Sequence, residues 1–186
     1  MDISQLRNKA ENAFGIFRNA TQNSFHFLVT DFGFALDSIT IDESMAFADM
    51  LTSEITYRNR TTEIRASYTW YEDLRGTPQV ICGRLESTDD RLLTVPEAYN
   101  LDMLIAERCP TRALLTFPSD PVEKIEKTLQ AYALILVDCA RPELSGDFGV
   151  FPRLRNALLA ELKGAVFLHS DVDADELIAH LESETS

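Results

Sequence analysis

The chain has 186 residues, of which 45% are hydrophobic and 25% are charged, a composition that predicts a single soluble globular domain over residues 1–186. Its 30 acidic and 17 basic residues leave a net charge of −13, which disfavours nucleic acid and anionic membranes as ligands because both need a basic face. No apolar run reaches the roughly 20 residues of a membrane span, and the N-terminus lacks the apolar core of a secretion signal.

The N-terminal part of the chain predicts two helices. Apolar residues recur at three- and four-residue steps over residues 3–18, as expected for an amphipathic helix. A shorter helix is predicted from Phe25 to Phe32, because Ser24 suits an N-cap and Gly33 suits the position after a helix end.

The following residues predict an antiparallel meander. Residues 36–41 alternate loosely and predict a first strand, and clearer strands are predicted at 54–58, 62–71 and 79–85. In the clearest of these, Ile64, Ala66, Tyr68 and Trp70 are expected on a buried face, and Glu63, Arg65, Ser67 and Thr69 on a wetted face. Such clean alternation is typical of an antiparallel sheet with one face covered.

The second half of the chain predicts mainly helices. Residues 87–94 read as a polar loop, Pro96 is expected to open a helix that ends at Arg108, and residues 111–117 read as an apolar link or an edge strand. A last short strand is expected at 165–169 and a last helix at 173–183.

The stretch from Ser119 to Leu162 carries the strongest helical signal. Asp120 suits an N-cap, and one apolar stripe then continues to Pro142, where the helix is expected to stop. A turn follows, pinned by Phe148 and Phe151. A second helix is expected from Pro152 to Gly164, with Leu154, Leu158, Leu159 and Leu162 facing inward.

The order of helices, strands and helices predicts an α+β fold, an antiparallel meander sheet with helices packed on one face. The long helix is expected to lie across the face that carries Tyr68. The three cysteines are widely spaced and odd in number, which argues against a disulfide framework and a zinc site and for a reducing, cytoplasmic location.

No pattern predicts catalysis or a cofactor. Glycine-rich phosphate loops are absent, and none of the histidines lies in a recognisable catalytic setting. Asp171 to Glu182 matches acidic positions of a calcium-binding EF-hand loop, but Glu176 replaces the glycine that the turn requires. The acidic start of a helix explains the same residues, so no metal site is predicted.

Two short stretches, FHFLVTDFGF at Phe25 to Phe34 and LSGDFGVFPRL at Leu144 to Leu154, resemble a pattern in small uncharacterised bacterial proteins, some of them immunity-protein-like. This resemblance implies a non-enzymatic inhibitor that neutralises a basic bacterial toxin by occlusion. The charge of the chain independently favours a basic protein partner.

The residues expected to bind that partner are two groups of acids. The first group lies in the irregular segment after residue 41 and the second near the C-terminus: Asp42, Glu43, Asp49, Asp171, Asp173 and Asp175. An acidic secretion chaperone of the type III kind, which forms a homodimer and holds an extended effector segment, is the alternative. An enzyme of unrecognised type is a further alternative, and the oligomeric state is left open.

Overall fold

The computed structural model describes residues 3–71, 76, 78–88, 92–109 and 124–166. The chain divides into two compact units, Met1–Phe148 and Gly149–Ser186. Within the described residues, no helix is both long enough and apolar enough to cross a membrane.

The first unit begins with two helices. Helix α1 spans Ile3–Ser24 and is six residues longer than predicted, and helix α2 spans His26–Phe32. Gly33 follows α2 with a φ of 68°, and its N–H bonds to the carbonyl of Leu28, which confirms the predicted helix end. The predicted N-cap is wrong, because Phe25 occupies that position without a side-chain bond.

Five antiparallel strands follow, in the spatial order β1 to β5. They span Ala35–Asp42, Met50–Arg58, Thr62–Tyr71, Pro78–Thr88 and Leu92–Asn100, and a 3-10 turn at Ala46–Ala48 separates the first two. Each strand pairs with its neighbour in sequence. The predicted α+β fold with an antiparallel meander is confirmed.

Strand β5 was missed by the sequence prediction. Pro96 lies within it and does not open a helix, and helix α3 begins only at Leu101 and ends at Arg108. The pairing of β4 with β5 shifts register between Arg84 and Glu86, opposite the stretch that contains Pro96. Proline is tolerated in such irregular edge positions because its missing N–H breaks no regular ladder bond.

The helices of the first unit pack on one face of the sheet. On this inner face the predicted residues Ile64, Ala66 and Tyr68 are fully buried, whereas Trp70 is only half-buried. The rings of Phe14 and Phe17 on α1 lie 6.5 and 5.8 Å from the ring of Tyr68. Helix α1 therefore covers the centre of the sheet, and the expectation that the long helix does so is wrong.

The long helix is α4, Ile125–Cys139, which packs beside α1 and contacts α3 and β4. Of the predicted apolar stripe, Val137 is only half-buried and Val122 lies outside the described residues, whereas these members are buried: Ile125, Leu129, Tyr132, Ala133, Leu136 and Ala140. The predicted N-cap at Asp120 lies outside the described residues.

The opposite, outer face of the sheet is less wetted than predicted. Glu63 is only 3% exposed, because two arginine side chains cover it. Arg58 contacts Glu63 at 2.7 Å and Asp37 at 3.1 Å, and Arg65 contacts Glu63 at 3.3 Å and Glu54 at 3.7 Å. Burial of this carboxylate is tolerable because both of its oxygens have cationic partners.

The prediction that argued against disulfides is wrong for two cysteines. Cys109, which follows α3, forms a disulfide with Cys139 at the end of α4, with the Cα atoms 6.2 Å apart, while Cys82 is free and buried. Wide spacing did not exclude a bridge because the fold brings the two helix ends together.

A compact turn joins α4 to the end of the first unit. Helix α5, Arg141–Leu144, contains Pro142, and α4 stops before it as predicted. Gly146 has a φ of 86°, and a Cβ atom there would lie 2.8 Å from the hydroxyl of Thr61. The position thus requires glycine both for its backbone conformation and for space.

The second unit contains helix α6, Phe151–Val166. Phe151 and Leu154 are buried, whereas Leu158 is 39% exposed and does not face inward as predicted. The helix continues past Gly164, so the predicted stop is wrong by two residues. The strand and helix predicted after residue 166 lie outside the described residues.

Candidate partner-binding surface

The six predicted acids form two groups along the sequence, and only the first group lies among the residues that the structure describes. Asp42, Glu43 and Asp49 all lie at the connection between β1 and β2, and we call these three residues the acidic tip. Asp171, Asp173 and Asp175 lie outside the described residues, so the structure does not test whether the two groups come together.

Asp42 is the most available carboxylate of the acidic tip. It is exposed at the end of β1, and its two oxygens accept bonds from the backbone N–H of Ser44 at 2.8 Å and from the Ser44 hydroxyl at 3.1 Å. These bonds, the backbone bond most of all, lower the pKa of the Asp42 carboxyl below 3.8. Asp42 is therefore negatively charged at neutral pH.

The other two acids of the tip have local structural roles. Glu43 forms an ion pair with Arg7 on α1, which holds the loop against that helix and neutralises much of the charge. Asp49 follows the 3-10 turn with a φ of 54°, a left-handed conformation in which aspartate is one of the better tolerated side chains. Asp42 is thus the tip residue best placed to attract a cation.

A row of apolar side chains lies next to the acidic tip, along the edge strand β1. Leu36 and Ile39 are 45% and 41% exposed, and Ile41 is half-buried. They lie opposite Tyr57, Ile55 and Ser53 on β2. Since those β2 residues are buried, the three side chains share the inner face of the sheet, and we call them the apolar row.

The apolar row is only partly covered by the helix layer, although that layer reaches the edge strand. Helix α1 contacts β2 and β3, and α2 contacts β1 itself but leaves Leu36 and Ile39 more than 40% exposed. The ring of Phe25, which precedes α2, lies 6.4 Å from that of Tyr57 on β2. Two more large apolar side chains near β1 in sequence are also exposed, Val29 on α2 and Met45 after the strand. Exposed apolar side chains grouped at a sheet edge are typical of binding surfaces.

The edge of β1 has little of the protection that edge strands usually carry. Proline, lysine and bulges are the common means of preventing a strand from pairing with another chain. Strand β1 has a register shift at Asp37 but contains no proline or lysine, and Ser38 to Asp42 pairs with β2 in unbroken register. Among the described strands, nothing pairs with the other side of β1.

The sequence analysis found the acids of this surface but not the apolar row. The loose alternation of residues 36–41 predicted the strand, yet gave no sign that its apolar face stays exposed. The only available signal was the absence of proline and lysine from an apolar strand beside several acids.

A cavity of about 390 Å³ lies elsewhere in the first unit, and its polar groups serve the fold. It is lined by Asp31, Phe32, Gly33, Asn59, Arg60, Thr61, Leu144 and Ser145. The Asn59 amide donates to the carbonyls of Phe32 and Leu144, and its oxygen accepts from the backbone N–H groups of Thr61 and Thr62. These bonds hold three chain segments together.

Two buried ionisable groups of the first unit, Cys82 and Glu143, are enclosed by the fold. Burial, and to a lesser extent the charge of Glu143, raise the pKa of the Cys82 thiol, so it stays protonated and unreactive. Glu143 is itself fully buried and accepts a bond from Arg108 at 2.5 Å. In the described part of the chain, no cluster of three or more histidine, cysteine or acidic side chains could hold a metal ion.

Comparisons with protein-family models, with curated proteins and with solved structures return no match to this chain. The edge of β1 with its apolar row and acidic tip is therefore the candidate site on structural grounds alone, and what it binds is a matter for proposal.

Proposed function

We propose that this chain is a non-enzymatic, acidic protein-binding protein whose partner is a basic protein, in the manner of an immunity protein that neutralises a toxin by occlusion. The single observation that carries the proposal is the exposed apolar row beside the acidic tip. Such a combination offers both an area to bury and a charge to attract.

The net negative charge of the chain accelerates the approach of a basic partner. A net charge of −13 attracts a basic protein over a distance set by the ionic strength, about 10 Å at 0.1 M salt. Asp42 lies exposed at the end of β1, on the face opposite the apolar row, so a basic side chain drawn to it brings the rest of the partner to the edge of this strand. Charges of this kind raise the association rate more than they slow dissociation.

The apolar row supplies the stability of the complex. Complete burial of one leucine or isoleucine side chain contributes about 1.5–3 kcal/mol. Leu36 and Ile39 each have somewhat less than half of their surface left to bury, so covering both contributes about 1.5–2.5 kcal/mol in total. A partner held there would be kept from its own target by steric exclusion.

One observation favours the alternative of a secretion chaperone. A chaperone of that kind holds an extended segment of its client, and the uncovered edge of β1 offers a strand with which such a segment could pair. Both candidates use the same surface, and they differ in whether the bound partner is folded.

The proposal is tested by isolating the partner and measuring how fast it binds. The tagged chain captures its partner in the source organism, and the purified partner is then mixed with the chain at about 50 mM and about 500 mM salt in a stopped-flow instrument. The association rate constant is expected to fall at least about tenfold at high salt. Hydrogen–deuterium exchange of the complex shows whether the partner is folded.

Two variants change the charge equally at different places. Asp42→Asn removes one negative charge and keeps the oxygen that accepts the Ser44 bond, and Gln130→Lys adds one positive charge on the exposed side of α4. We expect Asp42→Asn to slow association about two- to fivefold and Gln130→Lys to slow it much less. Association that is indifferent to salt, or slowed equally by both variants, would contradict the proposal.

A further inference from the structure

The edge of β1 combines three properties that a folded, purely electrostatic contact would not need. Its backbone edge is unpaired among the described strands, its residues from Ser38 to Asp42 are in regular register, and its apolar row alternates with polar positions that face the other side. An edge of this kind matches the main-chain hydrogen bonding of an added strand.

We propose that β1 binds its partner by strand addition, and that the bound segment is an extended strand that alternates apolar and basic residues. This inference rests on the proposed function and deepens it, because it specifies the shape and the residue pattern of the partner. The segment would become a sixth strand next to the five that the structure describes.

The residue pattern of the segment follows from the two faces of β1. Side chains of the segment that point to the inner face would lie beside the apolar row, Leu36, Ile39 and Ile41, and are therefore apolar. Thr40 and Asp42 lie opposite Glu54 and Thr52 on the outer face of the sheet. Side chains of the segment on that face meet hydroxyl and carboxylate groups and are therefore basic or hydroxylic.

A second copy of this chain fits the edge less well than a basic segment. Pairing of two β1 strands would bring two chains of net charge −13 together, and β1 itself contributes Asp37 and Asp42 without any basic residue. Like charges at this range are repulsive, so charge complementarity favours a basic partner over self-association.

The probe is a displayed library of random ten-residue peptides, selected on the intact wild-type chain at low salt. We expect selected peptides to repeat apolar residues at every second position and to be enriched in lysine and arginine. Peptides made with N-methyl groups at alternate residues, placed on one edge or on the other, then test main-chain pairing. Methylation of the pairing edge should weaken binding at least about tenfold, equivalent to about 1.4 kcal/mol, and methylation of the other edge should not.

Variants of the chain show where the peptide binds. Ile39→Lys and Leu36→Lys introduce a charge into the apolar row and should each weaken binding about tenfold or more. Leu134→Lys is the matched control, since Leu134 is 67% exposed on α4, and it should leave binding unchanged. Thermal unfolding of every variant confirms that the fold is retained, and the use of two positions in the row keeps the test valid if one variant is unstable.

Four outcomes would overturn strand addition. These are an absence of selected peptides, selected peptides with apolar residues at three- and four-residue spacing, indifference to N-methylation, and equal weakening by the Leu134→Lys control. A fifth outcome, basic peptides without period-two alternation that lose affinity on Asp42→Asn but not on Ile39→Lys, would overturn strand addition while supporting the proposed function. A dimer in sedimentation experiments that dissociates on Ile39→Lys would make a second copy the occupant and overturn the basic segment.

Discussion

Three glycines in different surroundings allow the tight turn after α5 to be tested quantitatively. Gly146 has a φ of 86°, and an added Cβ would lie 2.8 Å from the hydroxyl oxygen of Thr61 and 3.3 Å from its Cβ. Gly33 has a φ of 68° with nothing within 4 Å, and Gly15 lies inside α1 with nothing within 4 Å. Replacement by alanine therefore separates the conformational cost from the steric cost.

The expected changes in the free energy of unfolding differ in sign and size. Gly15→Ala should stabilise the chain by about 0.5–1 kcal/mol, because alanine is the better helix former. Gly33→Ala should destabilise it by about 1–2 kcal/mol, the usual cost of a left-handed conformation for a side chain. Gly146→Ala should cost that amount plus about 1–2 kcal/mol for the contact with Thr61, about 3 kcal/mol in all.

The assay is urea unfolding followed by circular dichroism and by the fluorescence of Trp70, the single tryptophan. In a Thr61→Ala background, the cost of Gly146→Ala should fall by about 1 kcal/mol, because the hydroxyl that crowds the new methyl group is gone. The reasoning would be refuted if Gly146→Ala cost no more than Gly33→Ala, or if its cost were the same in both backgrounds.

Three further predictions concern the cysteines and Asp42. The disulfide closes a loop with a sequence separation of 30, so replacing Cys109 and Cys139 by serine should lower the free energy of unfolding by about 3–4 kcal/mol. Reductant should lower the stability of the wild type and leave the double variant unchanged in urea unfolding; a wild type indifferent to reductant would contradict the bond. Cys82 should resist iodoacetamide at about pH 8 in the folded chain and react after unfolding, as measured by mass spectrometry, because burial raises its pKa. The pKa of Asp42 is lowered from 3.8 by folding, so its contribution to stability should be present above about pH 4 and lost as the pH falls through the folded value. Asp42→Asn should therefore be less stable than wild type near neutral pH and equal to it in acid, and a difference that persists at low pH would count against this origin.

A disulfide and a neighbouring ion pair together attach the end of α3 to the end of α4 and to α5. Cys109 and Arg108 are adjacent at the end of α3, and their partners Cys139 and Glu143 lie at the end of α4 and in α5. One covalent bond and one ion pair therefore connect the end of α3 to the region where α4 ends and α5 begins. Buried Glu143 needs Arg108, because removal of the cation would leave a desolvated carboxylate at a cost of about 3–5 kcal/mol.

The sequence by itself determined the elements whose signal is local. The alternation of residues 62–71 predicted β3 with correct ends, and the spacing of apolar residues from Ile125 to Ala140 predicted the buried stripe of α4. Gly33 marked the end of α2 for the same kind of reason, since a left-handed residue is required wherever a helix ends in this way. Periodicity and end signals need only neighbours along the chain.

Local sequence patterns gave wrong predictions where contacts formed in the folded chain changed the surroundings of a residue. The sequence at Pro96 resembles the start of a helix. In the structure, the segment that contains Pro96 pairs with strand β4 at an irregular position that tolerates proline. Glu63 alternates like a wetted residue, but Arg58 and Arg65 from the same sheet fold over it. For Pro96 the deciding neighbour is strand β4, and for Glu63 one of the two arginines, Arg58, lies opposite it only after β2 pairs with β3.

Only the tertiary structure decided which surface is available for binding. The acids of the tip could be named from the sequence, but the exposure of Leu36 and Ile39 depends on where α1 and α2 lie relative to the sheet edge. The pairing of Cys109 with Cys139 likewise depends on the approach of two helix ends. The burial of a side chain and the pairing of two cysteines depend on contacts between helices and strands. A periodic sequence pattern predicts the individual helices and strands but does not predict which of them come into contact.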